Sequence, residues 1–107
     1  NRNCLRATYN TKLQPPRVTV VIPTLSADDA LWECVQSLHR QSFRNFSIVI
    51  VDNSGEHRVK QNWPTEIPAA NITTLHPGTN VGFGAAVNLA AKTNPAEFIA
   101  AIREKLA

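Results

Sequence analysis

Two short runs of β-branched residues dominate the hydrophobic pattern of the chain. They are Val18–Thr24 and Ser47–Ser54, and each ends in a polar turn. Continuous apolarity over this length predicts strands that are buried on both faces. The stretch between them, residues 26–41, repeats apolar residues at helical spacing, at Leu31, Cys34, Val35 and Leu38. A strand, a helix and a strand in this order predict a βαβ unit with parallel strands and a right-handed crossover.

Asp52 is the first candidate for a functional residue, because it ends the second run. Parallel strands bring their carboxyl ends to one edge of a sheet, where ligands of open α/β sheets bind. A carboxylate in this position either accepts a hydrogen bond from a ligand or forms an Asx turn over Ser54 and Gly55. Local chemistry alone favours the turn. At the start of the helix, Ser26 is the predicted N-cap, with Asp29 three residues further on, and Trp32 is interpreted as a packing residue.

The second half of the chain predicts shorter elements. Residues 56–70 are polar and rich in proline, with a short helix near His57–Asn62, and Asn71–His76 predicts a strand at the sheet edge. A helix of small residues follows over Asn80–Lys92. After it, Asn94-Pro95 favours a helix start. The alternative is a fourth strand over Phe98–Ile102.

Composition places the chain among ordinary globular domains. The 107 residues are 43% hydrophobic and 18% charged, with a net charge of +3 and without a dense basic run. Nucleic-acid binding is therefore not expected, and no apolar stretch reaches the roughly 20 residues of a membrane span. Two cysteines do not make a disulfide framework, so we expect a cytoplasmic protein. Residues 1–16 are predicted to be a tail or linker, and residues 17–107 the domain. Without an initial Met, the sequence is interpreted as a truncated domain.

Familiar catalytic and cofactor motifs are weak or absent. The histidines at positions 39, 57 and 76 lack metal-ligand spacing, so no metal ligand and no catalytic residue is predicted. The segment from Gly82 to Val87 half-matches a dinucleotide fingerprint, but it follows the third strand rather than the first. A Rossmann-type oxidoreductase is therefore a distant alternative. The glycines serve either a ligand or the neighbouring backbone, and the pattern does not separate these two interpretations.

Taken in order, four motifs resemble the N-terminal, nucleotide-binding half of a family 2 glycosyltransferase. They are Val-Val-Ile-Pro23-Thr24, Ser37-Leu-His-Arg-Gln-Ser-Phe43, Ile-Val-Ile-Val-Asp52-Asn-Ser and Asn80-Val-Gly-Phe-Gly-Ala-Ala-Val-Asn88. The resemblance runs from about Val18 to about Ile102. It implies an α/β fold of the GT-A type, a partial three-layer sandwich around a mostly parallel sheet of three to four strands in the order 3-2-1-4.

The resemblance also implies a site for a nucleoside-diphosphate sugar, UDP- or dTDP-linked. Pro23 and Thr24 would line the pocket for the base and ribose, and Asp52 would accept a hydrogen bond from the nucleobase imide. The wall near the nucleotide would be shaped by Asn80, Gly82 and Gly84. A divalent cation, Mg²⁺ or Mn²⁺, is expected for the family.

The chain departs from the family pattern at its end. An Asp-x-Asp motif that holds the cation should follow the fourth strand, but Arg103-Glu104-Lys105 stands there. The acceptor-binding half is missing, so the 107-residue chain by itself is expected to be inactive. The favoured hypothesis is a glycosyltransferase fragment that binds the sugar donor for transfer to an acceptor hydroxyl. The alternative is a non-catalytic nucleotide-binding or interaction module, in which Arg103 or Lys105 replaces the metal as counter-charge to the diphosphate.

Overall fold

The structure of the chain, a computed structural model, describes residues 17–42 and 45–103. The tail or linker predicted for residues 1–16 lies outside the described residues, as do Glu104 and Lys105. Four strands and three helices follow one another in the described part. The strands are β1 (Val18–Thr24), β2 (Phe46–Asp52), β3 (Ile72–Leu75) and β4 (Phe98–Ala101). The helices are α1 (Asp29–His39), α2 (Arg58–Gln61) and α3 (Phe83–Thr93).

The four strands form one parallel sheet in the order β3-β2-β1-β4. β1 and β2 are the central strands and are buried along most of their length, as their continuous apolar runs predict. Their register pairs Thr24 with Asp52, so both strands end at the same level of the sheet. β3 lies at one edge, as predicted, and β4 lies at the other.

Helices cover both faces of the central strands. On one face, α1 and α2 pack on alternate strand residues, and the buried side chains include Val20, Ile22, Ile48, Ile50, Leu31, Trp32, Val35 and Val59. On the other face, α3 packs Ala86 and Ala90 against Val21, Val49 and Val51. The two alanines bring α3 close to the sheet because they carry small side chains. The α/β fold class and the three-layer arrangement predicted from the sequence are confirmed.

The end of the chain forms a strand where local preferences favoured a helix. The backbone N–H of Phe98 donates to the carbonyl of Arg17 at 2.9 Å, and that of Ile102 donates to the carbonyl of Val21 at 2.9 Å. These bonds satisfy the open side of β1. An isolated helix of about ten residues is marginal in water, so pairing with the sheet outweighs the local helix-start pattern.

The first helix begins two residues later than the sequence predicts. Asp28, not Ser26, is the N-cap, and its Oδ1 accepts from the N–H of Ala30 at 3.1 Å. The prediction is wrong because the segment between strand and helix forms a turn of its own. In that turn Ala27 takes a positive φ of 50°, and its N–H donates to the hydroxyl oxygen of Thr24 at 3.1 Å.

Candidate functional site

A pocket lies at the carboxyl edge of the sheet, where the direction of strand addition changes. From β1 the chain adds β2 and β3 on one side and then returns to add β4 on the other, so the change falls between β1 and β4. The pocket has a volume of about 160 Å³. We call it the switch-point pocket, and its lining residues are Pro23, Thr24, Leu25, Asn53, Asn80, Gly82, Phe83 and Arg103. Such a switch point is where open α/β sheets bind ligands.

The floor of the switch-point pocket is the end of β1 together with the residue that follows β2. The N–H of Asn53 donates to the carbonyl of Thr24 at 2.8 Å, which extends the pairing of the two strands by one step. Thr24 and Asn53 are both buried. Asn53 also accepts at Oδ1 from the N–H of Val81 at 3.4 Å. The amide therefore fixes the loop before α3 to the strand ends.

The wall opposite β1 is the loop that leads into α3. Asn80 accepts at Oδ1 from the N–H of Gly82 at 2.9 Å, which forms an Asx turn. Gly82 is the N-cap of α3, with φ 85° and ψ 171°, and no side chain caps this helix end. That backbone conformation is one that residues other than glycine rarely adopt. The positive end of the helix dipole therefore meets the wall of the pocket without a side-chain acceptor.

Arg103 supplies positive charge at the rim of the switch-point pocket. It follows β4, and its guanidinium carbon lies 4.0 Å from the centroid of the Phe83 ring. This distance is short for a cation–π contact, which extends to about 6 Å. Among residues 17–42 and 45–103, no carboxylate lies within ion-pair distance of Arg103. The rim thus carries a cation that a neighbouring acid does not neutralise in this part of the chain.

Asp52 lies behind the pocket rather than in its lining. Its Oδ1 accepts from the N–H of Ser54 at 3.0 Å and from the hydroxyl of Ser54 at 2.6 Å. Its Oδ2 accepts from the N–H of Val59 at 3.0 Å, and Nδ1 of His76 lies 3.7 Å away. The side chain is only 1% exposed. These bonds are those of the Asx turn that local chemistry favoured, and they tie the end of β2 to the start of α2.

The electrostatic environment keeps Asp52 ionised. Burial alone raises the pKa of a carboxyl group, but three hydrogen bonds outweigh it. They come from the hydroxyl of Ser54 and from the backbone N–H groups of Val59 and Ser54, and His76 adds an attraction. Together they hold the pKa of Asp52 below its ordinary value.

The fold brings together most of the site residues predicted from the sequence. The lining of the switch-point pocket includes Pro23, Thr24, Asn80 and Gly82. Gly84 lies in the first turn of α3, outside that lining. Asn53 and Phe83 were not predicted, and the only sequence feature that marks them is that each sits next to a predicted site residue.

A family model described as Glycosyl transferase family 2 matches residues 19–102. The chain belongs to glycosyltransferase family 2. A comparison with curated proteins found no match. The family match covers all four strands and all three helices except the first residue of β1.

Membership of glycosyltransferase family 2 raises the question of a divalent cation, which the resemblance led us to expect. Hard cations such as Mg²⁺ and Mn²⁺ are bound by oxygen ligands, usually with one or more carboxylates. The lining of the switch-point pocket contains no carboxylate, and Arg103 would repel a cation. No group of three or more histidine, cysteine, aspartate or glutamate side chains suited to a metal occurs in the described ranges. The described residues therefore do not fit a divalent cation.

None of the helices within the described ranges is long and apolar enough to cross a membrane. The longest, α1 and α3, have 11 residues each. Both face the sheet with their apolar sides, as in other three-layer α/β folds.

Two glycines at the start of α3 should respond differently to alanine. A Cβ added at Gly82 or Gly84 meets nothing within 4 Å, so neither change causes a clash. Gly82 has a positive φ, however, and Gly82→Ala is expected to cost about 1–2 kcal/mol of stability through backbone strain. Gly84→Ala lies in helical backbone and is expected to be neutral or to stabilise by up to about 1 kcal/mol. Urea denaturation of the two variants provides the comparison, and equal effects would contradict it.

Proposed function

We propose that this chain binds the nucleoside-diphosphate part of a UDP- or dTDP-linked sugar in the switch-point pocket, as the donor-binding part of a glycosyltransferase. The observation that carries the proposal is the position of the pocket. It lies between β1 and β4 at the carboxyl edge of a parallel sheet, in a chain of glycosyltransferase family 2. A family of this activity uses a sugar donor in general, and the carboxyl edge of a parallel sheet is where open α/β folds bind ligands.

Each part of the pocket offers a different contact to such a ligand. Pro23 and Thr24 would present the flat end of β1 to the base and ribose. The amide groups of Asn53 and Asn80 can donate and accept hydrogen bonds, which suits a nucleoside. Gly82 would let the ligand approach the backbone closely, because it has no side chain. Gly84, in the first turn of α3, would keep space for the same ligand because it also has no side chain.

The pocket is small, which limits what this part of the chain can enclose. Sites for small molecules usually have volumes of about 300–1,000 Å³, whereas the switch-point pocket has about 160 Å³. We therefore infer that it holds one portion of the donor and that the rest lies over an open surface. The same limitation predicts a modest affinity, because an open site leaves more of the ligand in water.

The prediction that Asp52 accepts a hydrogen bond from the nucleobase stays a prediction. Its carboxylate is 1% exposed, and both oxygens already accept hydrogen bonds. Direct contact with a base would require the turn from Ser54 to Val59 to rearrange. In the geometry described here, Asp52 would support the pocket indirectly, by holding the strand end from which Asn53 projects.

Transfer to an acceptor hydroxyl needs a base and an acceptor site in addition to the donor. The lining of the switch-point pocket contains no carboxylate or histidine that could remove a proton. We therefore assign donor binding to the described residues and propose that transfer depends on groups outside them.

A non-catalytic nucleotide-binding module is the second candidate, and the cation at Arg103 favours it. A cytoplasmic location belongs to the same proposal and is supported by the unpaired Cys34.

The test is a calorimetric titration of the chain with UDP and with dTDP. Saturable binding of at least one of them is expected, and Asn80→Ala should weaken it about 5- to 10-fold, since one hydrogen bond and the order of the loop are lost. Asn88→Ala is the matched control, because Asn88 is an exposed asparagine further along α3. Its affinity should equal that of the parent. No saturation at millimolar nucleotide would refute donor binding. Equal losses of affinity in Asn80→Ala and Asn88→Ala would mean that the nucleotide binds outside the switch-point pocket.

A further inference from the structure

Arg103 combines two features that are not explained by packing alone. It lines the switch-point pocket, and its guanidinium is held in place by the ring of Phe83, 4.0 Å away. Phe83 is the first residue of α3 and is partly buried, whereas Arg103 extends from the end of β4. Two separate elements of the fold thus position one cation at the mouth of one pocket.

A cation–π contact leaves the hydrogen-bonding groups of a guanidinium available for other partners. Stacking on an aromatic ring uses the flat face of a guanidinium, while its five N–H donors lie in the plane and point outward. No carboxylate in residues 17–42 and 45–103 forms an ion pair with Arg103. A planar fork of donors matches two oxygens of a phosphoryl group, and such bonds are among the strong ones.

A cation at this point also changes what the pocket can hold. Thr24, Asn53 and Asn80 offer only neutral oxygens, which are a poor set for a divalent ion beside a guanidinium. The negative charge of a diphosphate nevertheless needs a counter-charge when part of it leaves water. Within the described residues, Arg103 is the charged group in the lining of the pocket.

We infer that Arg103 binds the phosphate oxygens of the ligand directly, so that donor binding in this chain does not depend on a divalent metal. The inference rests on the proposed function, since it takes the diphosphate of the donor as the ligand of this pocket. It assigns Arg103 to the phosphate portion and leaves the nucleoside to the residues at the end of β1. Phe83 is then a positioning residue, because it acts through the guanidinium that it holds.

Calorimetric titration with UDP and with uridine, in buffer containing EDTA, separates the two portions of the ligand. We expect UDP to bind in EDTA more tightly than uridine, with an affinity that Mn²⁺ in place of EDTA raises less than twofold. Arg103→Gln should weaken UDP at least about tenfold, in line with the loss of a charge-assisted bond, and leave uridine unchanged. Arg103→Lys should give an intermediate affinity, because it keeps the charge and loses the planar fork.

The matched control is Arg40→Gln. Arg40 is an exposed arginine that follows α1, near the amino ends of the strands and therefore away from the switch-point pocket. Its side chain donates to the hydroxyl of Ser37. Its UDP affinity should remain that of the parent. Binding of UDP that requires Mn²⁺, or that is unaffected in Arg103→Gln, would overturn the inference and leave the proposed function intact. Failure of UDP, dTDP and uridine alike to bind would refute the proposed function itself. An equal loss for UDP and uridine in Arg103→Gln would mean that the side chain only maintains the loop.

Discussion

Asp52→Ala is expected to lower the free energy of unfolding by about 3 kcal/mol, in the absence of any ligand. The change removes both oxygens that the turn after β2 depends on. The N–H of Val59, which is completely buried, would lose its acceptor at 3.0 Å, and the N–H and hydroxyl of Ser54 would lose theirs. A buried donor without a partner costs about 1–3 kcal/mol, and the bonds to the charged carboxylate add to this loss. Chemical denaturation followed by circular dichroism gives the measurement.

Asp52→Asn is the conservative comparison for this effect. It keeps the shape and one acceptor oxygen, but it replaces the second acceptor with a donor that faces the N–H of Val59. We expect the stability of Asp52→Asn to lie between that of the parent chain and that of Asp52→Ala. A loss below about 1 kcal/mol for Asp52→Ala would contradict the role of the turn. Unchanged stability together with lost nucleotide binding would instead support direct contact between Asp52 and the base.

The pH dependence of stability in the parent chain and in Asp52→Asn gives an independent check. The pKa of Asp52 is held below its ordinary value in the folded chain. A carboxylate of this kind stabilises the fold at pH values above its unfolded pKa of about 3.9. The contribution is lost as the pH falls through the lower, folded pKa. The stability difference between the parent and Asp52→Asn should therefore be present at neutral pH and shrink as the pH falls below about 4.

Trp32→Ala is expected to have the largest effect on stability, a loss of about 3–5 kcal/mol. Trp32 is 6% exposed and packs edge-on against Trp63, with ring centroids 5.1 Å apart at 62°. Its Nε1 donates to the carbonyl of Ala27 at 3.1 Å. Removal of the ring leaves a large cavity between α1 and the segment after α2, and it releases the turn that holds Thr24. For a domain of marginal stability, such a loss approaches the total.

Trp32→Phe separates the ring from its hydrogen bond. Ala27 keeps a second donor at its carbonyl, Nδ2 of Asn62 at 3.1 Å, so the lost bond should cost only about 1–2 kcal/mol. In Trp32→Phe, Trp63 is the remaining tryptophan, and its fluorescence reports unfolding in urea directly. If Trp32→Ala cost less than Trp32→Phe, the cavity argument would be wrong.

The central strands and the edge that carries the site could be predicted because continuous apolar runs admit few arrangements. Once β1 and β2 are parallel neighbours, their carboxyl ends meet at one edge of the sheet, which places Thr24 beside Asp52. The strand at Phe98–Ala101 could not be predicted locally, because only the open side of β1 makes it favourable. The prediction of Ser26 as the N-cap was wrong for a similar reason. The position of the cap, at Asp28, depends on a turn in which Ala27 contacts Thr24 and Trp32.

Side-chain roles at the site were harder to predict than the fold. Asp52 has the same residue type and the same place in the chain whether it binds a ligand or closes a turn, so local chemistry favours the turn without excluding a ligand. Arg103 was predicted as a counter-charge only through the family motif that it replaces. Its stacking on Phe83 joins residues twenty positions apart, and no spacing rule predicts a contact between the end of a strand and the start of a helix.

The placement of Arg103 just after β4 couples ligand binding to the stability of this strand. All four residues of β4 are exposed, and Phe98 still presents 52% of its surface to solvent. Such a lightly packed outer strand is where a domain opens first, at a free-energy cost well below that of global unfolding. A ligand held by Arg103 would suppress this opening, and part of its binding energy would be spent on doing so. Tighter binding of the anion would then be accompanied by stronger protection of the β4 amides from hydrogen exchange, because both depend on the same opening of β4.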